Sequence, residues 1–354
     1  MLGRVVQTAR QDRIRVLFIN SPTAIGADTW IHLLLMRHLP QDRFELHAAV
    51  QPAGDAAAKT PVIEALHAIS GVRVHLTSFG PSLFGRSRLQ KLKSVAEVVP
   101  AAASLLGLAA YIRRERIQVL HATDRPRDAL ACVILAALTG AKALIHVHVK
   151  YDDWMSRGQK WSLGQADVLV GVSRFVADSL VSGGYRPARV RAVLNSIDPQ
   201  RWDASLSPAP GRESLGVSAS APLIISVSRL FSWKGHTELL RALALVKREF
   251  PDVRLAIVGA DYPEGSGTTQ SLAALASELG ILENVMFTGQ RSDIAALLAA
   301  CDVFALPSFE EPFGLVYAEA MAMKRPVVGL SNGGTPEVVE HGADGLLSAP
   351  KDIE

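Results

Sequence analysis

Short apolar, β-branched runs alternate along this chain with longer stretches in which apolar residues recur every three or four positions. The short runs in the first half are Ile14–Asn20, Leu46–Val50, Val72–Thr77, Gln118–His121, Leu144–Val149, Val168–Val172 and Val190–Leu194. Those in the second half are Leu223–Val227, Arg254–Gly259, Val285–Thr288, Val303–Leu306 and Val327–Gly329. Many lack a polar face. A strand with one wet face alternates, whereas a parallel strand covered by helices on both faces stays apolar throughout. The repeated β-then-α order therefore predicts an α/β chain with two doubly wound parallel sheets. In residues 195–222 the periodicity fades into Pro, Ser and Asp. The expected division is a first domain over 1–196, a connection over 197–221 and a second domain over 222–354.

Composition narrows the class. A chain of 354 residues, 49% hydrophobic and 20% charged, is globular and long enough for two domains. Cys132 and Cys301 are too few for a disulfide framework, and without a C-x-x-C they make a poor metal site, which fits a reducing cytosol. The most apolar run, Val98 to Ile112, is shorter than the roughly 20 residues a bilayer requires. The first residues lack the apolar core of a signal peptide, so a cytoplasmic location is expected.

Charge is unevenly divided. Residues 1–200 hold 25 Lys and Arg against 15 Asp and Glu, whereas residues 201–354 hold 12 against 19. The basic half suggests an anionic surface or partner. Arg86, Arg88, Lys91 and Lys93 precede Leu89, Leu92, Ala96 and Val99 at helical spacing or interleave with them, and Arg113, Arg114 and Arg116 form a second cluster. Such a segment either covers its own core with a solvated face or lies on an anionic membrane. No nucleic-acid motif or interleaved aromatics accompany it, and a nucleic-acid partner is not expected.

In doubly wound sheets, ligands bind beyond the carboxyl ends of the strands, and with two such domains the expected site is the cleft between them. After Leu223–Val227 come Arg229 and Lys234, just before a helix expected near Gly235. A guanidinium fork and an ammonium beside a helix start suit phosphates. After Val303–Leu306 comes S-F-E-E-P-F-G-L-V-Y-A-E. Glu311 is held extended by Pro312, Gly314 permits close backbone approach, and a helix is expected to open at Leu315. Its first N–H groups offer an anion site, and Glu319 lies about one turn in. Carboxylates there suit hydroxyl groups beside a phosphate, as on a sugar or ribose. Gly333 and Gly334 precede a second expected helix carrying Thr335, Pro336 and Glu337. In the first half, Gly26 lies before a helix. His146 and His148 share one face of their strand, with Asp152 and Asp153 close enough in sequence to orient an imidazole.

No G-x-G-x-x-G follows a strand and no G-x-x-x-x-G-K-[ST] is present, so neither a dinucleotide site nor a P-loop is supported. No Asp-x-Asp pair offers a compact metal–diphosphate site. Fixed cations and helix ends, with no metal and no cofactor, are expected to neutralise a leaving group.

The segment Glu311 to Glu319, E-P-F-G-L-V-Y-A-E, resembles the E-x7-E motif of glycosyltransferase family 4. Five more segments match in order: Ile25–Asp28, Leu144–His148, Gly171–Val176, Val227–Gly235 and Asn332–Val339. The resemblance implies a GT-B fold, two Rossmann-like domains facing across a cleft. It implies a metal-independent, retaining hexosyltransferase that uses a nucleotide diphosphate sugar as co-substrate. By position, Arg229 and Lys234 would hold the diphosphate and Glu319 the ribose. Glu311 would contact the donor sugar beside the backbone of Phe313, Gly314 and Leu315. His148 would lie at the donor sugar, and Gly26 near the diphosphate and acceptor.

Ser228 and Ser196 stand where the family usually has glycine, and Val149 where it usually has an acid. Family members usually continue past the segment ending at Glu354, so the second domain is expected to lack its last helices. The acceptor is expected to be a glycan or a lipid-linked molecule of cell-surface polysaccharide or glycolipid synthesis, met peripherally at the inner membrane face. The other readings are a non-catalytic or truncated sugar-nucleotide binder, a nucleotide-sugar epimerase on the same fold, and a phosphorylase, for which no cofactor-lysine context is seen.

Overall fold

The computed structural model describes residues 13–52, 60–80 and 95–353. The basic run Arg86–Lys93 lies outside the described residues. The chain forms two units. One holds the chain up to Val172 together with Val176–Val193, and the other holds Ser173–Phe175 and Leu194–Glu354.

The first unit is built on a seven-stranded parallel sheet. Its strands are β1 (Ile14–Asn20), β2 (Phe44–Val50), β3 (Val72–Leu76), β4 (Val119–Thr123), β5 (Lys142–Val147), β6 (Val168–Gly171) and β7 (Val190–Ala192). They are ordered β3-β2-β1-β4-β5-β6-β7, so the order reverses between β1 and β4. Ligands meet such sheets at this switch point. Register places Phe18 beside His121 and Thr123 beside His146. Helix Ala27–His38 starts after Gly26, whose backbone is extended, carries Asp28 in its first turn and Arg37 and His38 in its last. That charge order suits the helix dipole. Its apolar side, with Leu33 and Met36, packs on Val16, Phe18, Leu46 and Val50.

The second unit has a six-stranded parallel sheet. Its strands are β8 (Leu223–Val227), β9 (Arg254–Val258), β10 (Val285–Gly289), β11 (Val303–Leu306), β12 (Val327–Leu330) and β13 (Gly345–Ser348), ordered β10-β9-β8-β11-β12-β13. One apolar cluster joins Leu223, Ile225, Phe304 and Tyr317, and another joins Leu240, Leu243, Leu255 and Ile257. Burial on both faces is why these strands read as continuous apolar runs.

Three local readings differ from the structure. The stretch expected as a connection holds helix Ala209–Leu215, which belongs to the second unit. Arg212 there donates to Ser218 O and Ala221 O, both at 2.8 Å, and pairs with Asp302 at 2.9 Å. A Cβ at Gly211 would fall 2.3 Å from Ala296 O, so glycine lets this helix pack closely. The helix expected at Thr335 is only a three-residue 3-10 turn, Thr335–Glu337. Strand β13 was not expected, because none of its four residues is fully buried, Leu346 is exposed, and they follow a Gly- and Asp-containing turn. Among the described residues, no helix is long and apolar enough to cross a membrane.

Candidate functional site

In the second unit, the two ends of the E-x7-E segment are set by different elements. Strand β11 stops at Leu306, before Pro307. The loop turns through Glu310, whose φ is 50°, and reaches Glu311. Gly314 adopts φ 89° and stands at the N-cap of helix Leu315–Ala322, where it offers no side chain to the first-turn amides. Tyr317 holds the helix down. It is fully buried, packs edge-on against Phe304 and donates its hydroxyl to Leu306 O. The helix tip is therefore a set of amides fixed beside the end of β11, a geometry that favours anions.

Lys234 reaches this loop from the other side. It ends a 3-10 turn, Ser232–Lys234, before helix His236–Glu249. Between them Gly235 has φ 73°, and a Cβ there would sit 1.9 Å from Pro307 O. That contact draws the Lys234 turn against the end of β11, and Phe309 N donates to Trp233 O at 2.7 Å. As a result Lys234 Nζ lies 2.6 Å from Glu311 Oε2, with both side chains nearly buried. The ammonium also lies 4.1 Å from the Trp233 ring centroid. The 332–334 turn backs Glu311: Gly334 N donates to Glu311 O at 2.7 Å, and Asn332 Oδ1 accepts from Glu310 N at 3.4 Å.

The structure thus brings together Lys234, Glu311, Phe313, Gly314 and Leu315. Arg229, just beyond β8, lies elsewhere on this rim, its guanidinium 5.1 Å from the Tyr262 ring centroid and 6.0 Å from that of Phe231. Glu319 is partly buried on its helix. Burial pushes its carboxyl up to about 7, although the Arg201 charge opposes the rise. Ser228 donates to or accepts from His236 Nε2 at 3.1 Å. Burial, helped by the Lys234 charge, drives the His236 imidazole down to about 4. Sequence reading assigned no role to His236. Its signal was a polar side chain at the first helical position after a glycine cap.

In the first unit, β5 ends at Val147, and His148 follows it rather than lying within the strand. Its backbone N donates to Asp124 Oδ1 at 3.2 Å. Burial lowers its imidazole to about 4, against the attraction of Asp28. Asp152 and Asp153 do not orient it. Asp153 pairs with Lys160 at 3.1 Å, and Asp152 accepts from Asp153 N at 2.6 Å, because the chain turns outward there.

Gly26 lies beside a charge network that sequence reading left without a role. A Cβ at Gly26 would fall 3.0 Å from Asp28 Oδ1 and 3.4 Å from Arg125 Nη2. Asp28 accepts two bonds from Arg125, one of them at 3.1 Å. Burial pushes its carboxyl up, but the Arg125 guanidinium outweighs this and holds it below the usual range. Asp128 accepts from Ser21 N, and burial lifts it to about 6; burial lifts Asp124 to about 7. Arg127 donates to Gly80 O and Ser21 O. The sequence signal was D-R-P-R-D immediately after β4, dense charge at the end of an apolar strand.

Comparison with known proteins gives consistent matches. The model of Glycosyltransferase Family 4 matches residues 32–201, and that of Glycosyl transferases group 1 matches residues 211–354. A D-inositol 3-phosphate glycosyltransferase of Mycobacterium sp. (strain JLS) is 34% identical over 199 residues, 55% of this chain and 44% of that protein. A GDP-mannose-dependent alpha-(1-6)-phosphatidylinositol monomannoside mannosyltransferase of Mycolicibacterium smegmatis is 34% identical over 203 residues, 53% of this chain and 50% of that one. The matched region thus spans half or less of these relatives' length. Among solved structures, Anabaena HepE in complex with UDP-glucose superposes with a TM-score of 0.76 at 23% identity, covering 96% of this chain and 87% of that one. A glycosyltransferase from Rickettsia africae gives 0.74 at 20% identity, covering 97% and 86%. These likenesses establish the GT-B fold.

Proposed function

The chain belongs to the family 4 glycosyltransferases of GT-B fold, and we propose that it transfers a hexosyl group from a nucleotide diphosphate sugar to a hydroxyl of a glycan or lipid-linked acceptor. In that reaction the bond from the anomeric carbon to the diphosphate oxygen breaks, and a bond to the acceptor oxygen forms. The acceptor proton leaves with the diphosphate or passes to solvent. Positive charge builds on the sugar ring while negative charge builds on the leaving group. Lys234, Arg229 and the amides at Leu315 would stabilise the leaving diphosphate. Preorganised donors of this kind typically contribute about 10²–10³ in rate each. Glu311 would contact the donor sugar and Glu319 the ribose hydroxyls. His148 would lie at the donor sugar, with Gly26 near the diphosphate and acceptor.

The observation that carries this reading is the Lys234–Glu311 contact beside the helix tip at Gly314, a cap residue without a side chain. A cation for phosphate, a carboxylate for hydroxyls and a row of amides converge on one loop. We further propose that transfer retains anomeric configuration and draws on no metal at the diphosphate. The acceptor reading rests on chemistry. The two relatives act, by name, on an inositol phosphate and on a phosphatidylinositol mannoside. Both are polyols that carry phosphate, and the basic first half of this chain suits such an anionic acceptor, including one presented at a membrane face.

The test is a thermal-shift screen with UDP-, GDP- and ADP-sugars, followed by a transfer assay on the sugars that bind. A ligand that binds only the folded chain raises its melting temperature in proportion to RT ln(1 + [L]/Kd). The expected result is a shift with one nucleotide class, and turnover independent of added magnesium or manganese. An absence of any shift across the panel would overturn the reading. Proton NMR of the product reports the anomeric outcome.

A further inference from the structure

The first unit contains a feature that the proposed transfer reaction leaves unused. Residues paired across parallel strands point to the same sheet face, as do residues i and i+2 of one strand. Phe18 pairs with His121, and His146 pairs with Thr123, two residues on from His121. Phe18, His121 and His146 therefore share one face of β1, β4 and β5. His32, fully buried on helix Ala27–His38, comes down on this face: its ring lies 5.2 Å from Phe18, 4.7 Å from His121 and 6.5 Å from His146, centroid to centroid. The His121 and His146 rings are 5.6 Å apart. Ring nitrogens of the three histidines lie within 4.8 Å of one another.

Packing alone does not account for these residues. Both ring nitrogens of His32, both of His146 and Nε2 of His121 are buried with no hydrogen-bond partner among the described residues. Buried polar atoms normally find partners, and an apolar side chain would fill the same space without that cost. Burial also holds all three imidazoles in the neutral state, His121 at about 3 and the other two well below the ordinary value. The neutral ring is the form that offers a lone pair to a metal.

We propose that His32, His121 and His146 form a binding site for a divalent first-row transition ion, zinc above all, between helix Ala27–His38 and the sheet. Three imidazoles without thiolate suit zinc, nickel, copper(II) or iron and disfavour magnesium and calcium. Tetrahedral zinc at about 2.0–2.1 Å from nitrogen sets its ligand atoms about 3.3 Å apart, so small side-chain rotations of the three rings bring them into range. Asp124 fixes the end of β5 beside the site: its N donates to His146 O, and its carboxyl accepts from His148 N. The ion's role is to tie the helix that carries Asp28 to β4 and β5. No metal is proposed at the diphosphate, and the site stands whether or not the transferase reading holds, although the ring of His148, proposed to lie at the donor sugar, packs 4.5 Å from that of His146.

The experiment uses the full chain without a histidine tag, stripped with a chelator and then titrated with Co²⁺ and Zn²⁺. The expected result is one Co²⁺ per chain with the visible d–d band of a tetrahedral nitrogen site, displaced by Zn²⁺, and a melting temperature raised by Zn²⁺. His32→Leu and His146→Leu keep the volume apolar. Each is expected to lose the band and the thermal shift, weakening Co²⁺ by more than the about 10–100-fold that loss of an outer-shell partner costs. A wild-type chain that takes up no stoichiometric Co²⁺ would overturn the proposal, whatever the variants do. So would leucine variants, folded by circular dichroism, that bind as the wild type does. If a leucine variant does not fold, His121→Gln supplies the same comparison with a polar replacement.

Discussion

Lys234 Nζ lies 2.6 Å from Glu311 Oε2, and the two side chains are only 12% and 10% exposed. The cation proposed for the diphosphate is therefore held by the carboxylate proposed for the donor sugar. Removing either partner strands the other charge in a poorly solvated site, which typically costs about 3–5 kcal/mol. Lys234→Ala and Glu311→Ala are thus expected to lose stability as well as turnover, each by about 10²–10³ in rate. The double change Lys234→Met with Glu311→Leu is expected to recover most of the stability and none of the activity. Urea unfolding and a transfer assay on the same preparations separate the two effects. A double variant that still turns over at the wild-type rate would remove both residues from the chemistry.

Glu319 gives a pH dependence with a definite sign. Burial raises its carboxyl from 4.5 to about 7 in the folded chain. The folded state then holds a proton that the unfolded state releases, so this group's contribution is fully present below about pH 4.5 and is lost as pH rises through 7. Glu319→Gln does not titrate. Its stability relative to wild type is expected to grow from pH 5 to pH 8, by on the order of 2 kcal/mol. If Glu319 binds ribose, its ionised form accepts both hydroxyls, and nucleotide affinity should rise with pH in wild type and stay flat and weaker in the glutamine variant. Denaturation and nucleotide titration at three pH values check both curves.

The parallel sheets could be read from the chain because many strands buried on both faces show no alternating polar face. The ends β1, β8 and β11 coincide with the apolar runs. The helix starts after Gly235 and Gly314 were legible too, because a left-handed φ at a helix cap requires a residue of this kind. What stayed hidden was long-range. Nothing local couples Lys234 to Glu311, 77 positions away. Nothing local sets His32 against His121, and His146 was read only as sharing a strand face with His148. Helix Ala209–Leu215 was missed because its short Pro- and Ser-rich sequence gains its helical form from packing against the 296–300 region, not from its own periodicity.

Arg229 is exposed, and its guanidinium lies over the rings of Tyr262 and Phe231. A guanidinium presents a planar fork that can meet oxygen atoms in pairs. Lysine keeps the charge and loses both the stacking surface and the fork. Arg229→Lys is therefore expected to leave stability within about 0.5 kcal/mol, as exposed substitutions usually do. It should weaken nucleoside diphosphate binding about tenfold, the scale of one charge-assisted hydrogen bond. Calorimetric titration with the nucleotide selected by the thermal screen measures this. Unchanged affinity would place the diphosphate away from Arg229.

Gly333 tests whether the backbone behind Glu311 matters as much as the side chain. Its φ is 62°, and a Cβ built there would lie 2.7 Å from both Glu311 N and Glu311 O and 2.8 Å from Glu310 C. These are backbone atoms and cannot rotate away. Gly333→Ala must therefore displace the loop that presents Glu311 to Lys234, at a cost of about 1–3 kcal/mol. Gly342 is the control: its φ is 83°, but nothing lies within 4 Å of its Cβ position. Gly342→Ala incurs the conformational cost alone. Both variants should lose stability, and only Gly333→Ala should lose turnover out of proportion to that loss, because a misplacement of about 1 Å at a reacting group can cost about 10²-fold. Equal turnover in the two folded variants would mean that the position of Glu311 does not control transfer.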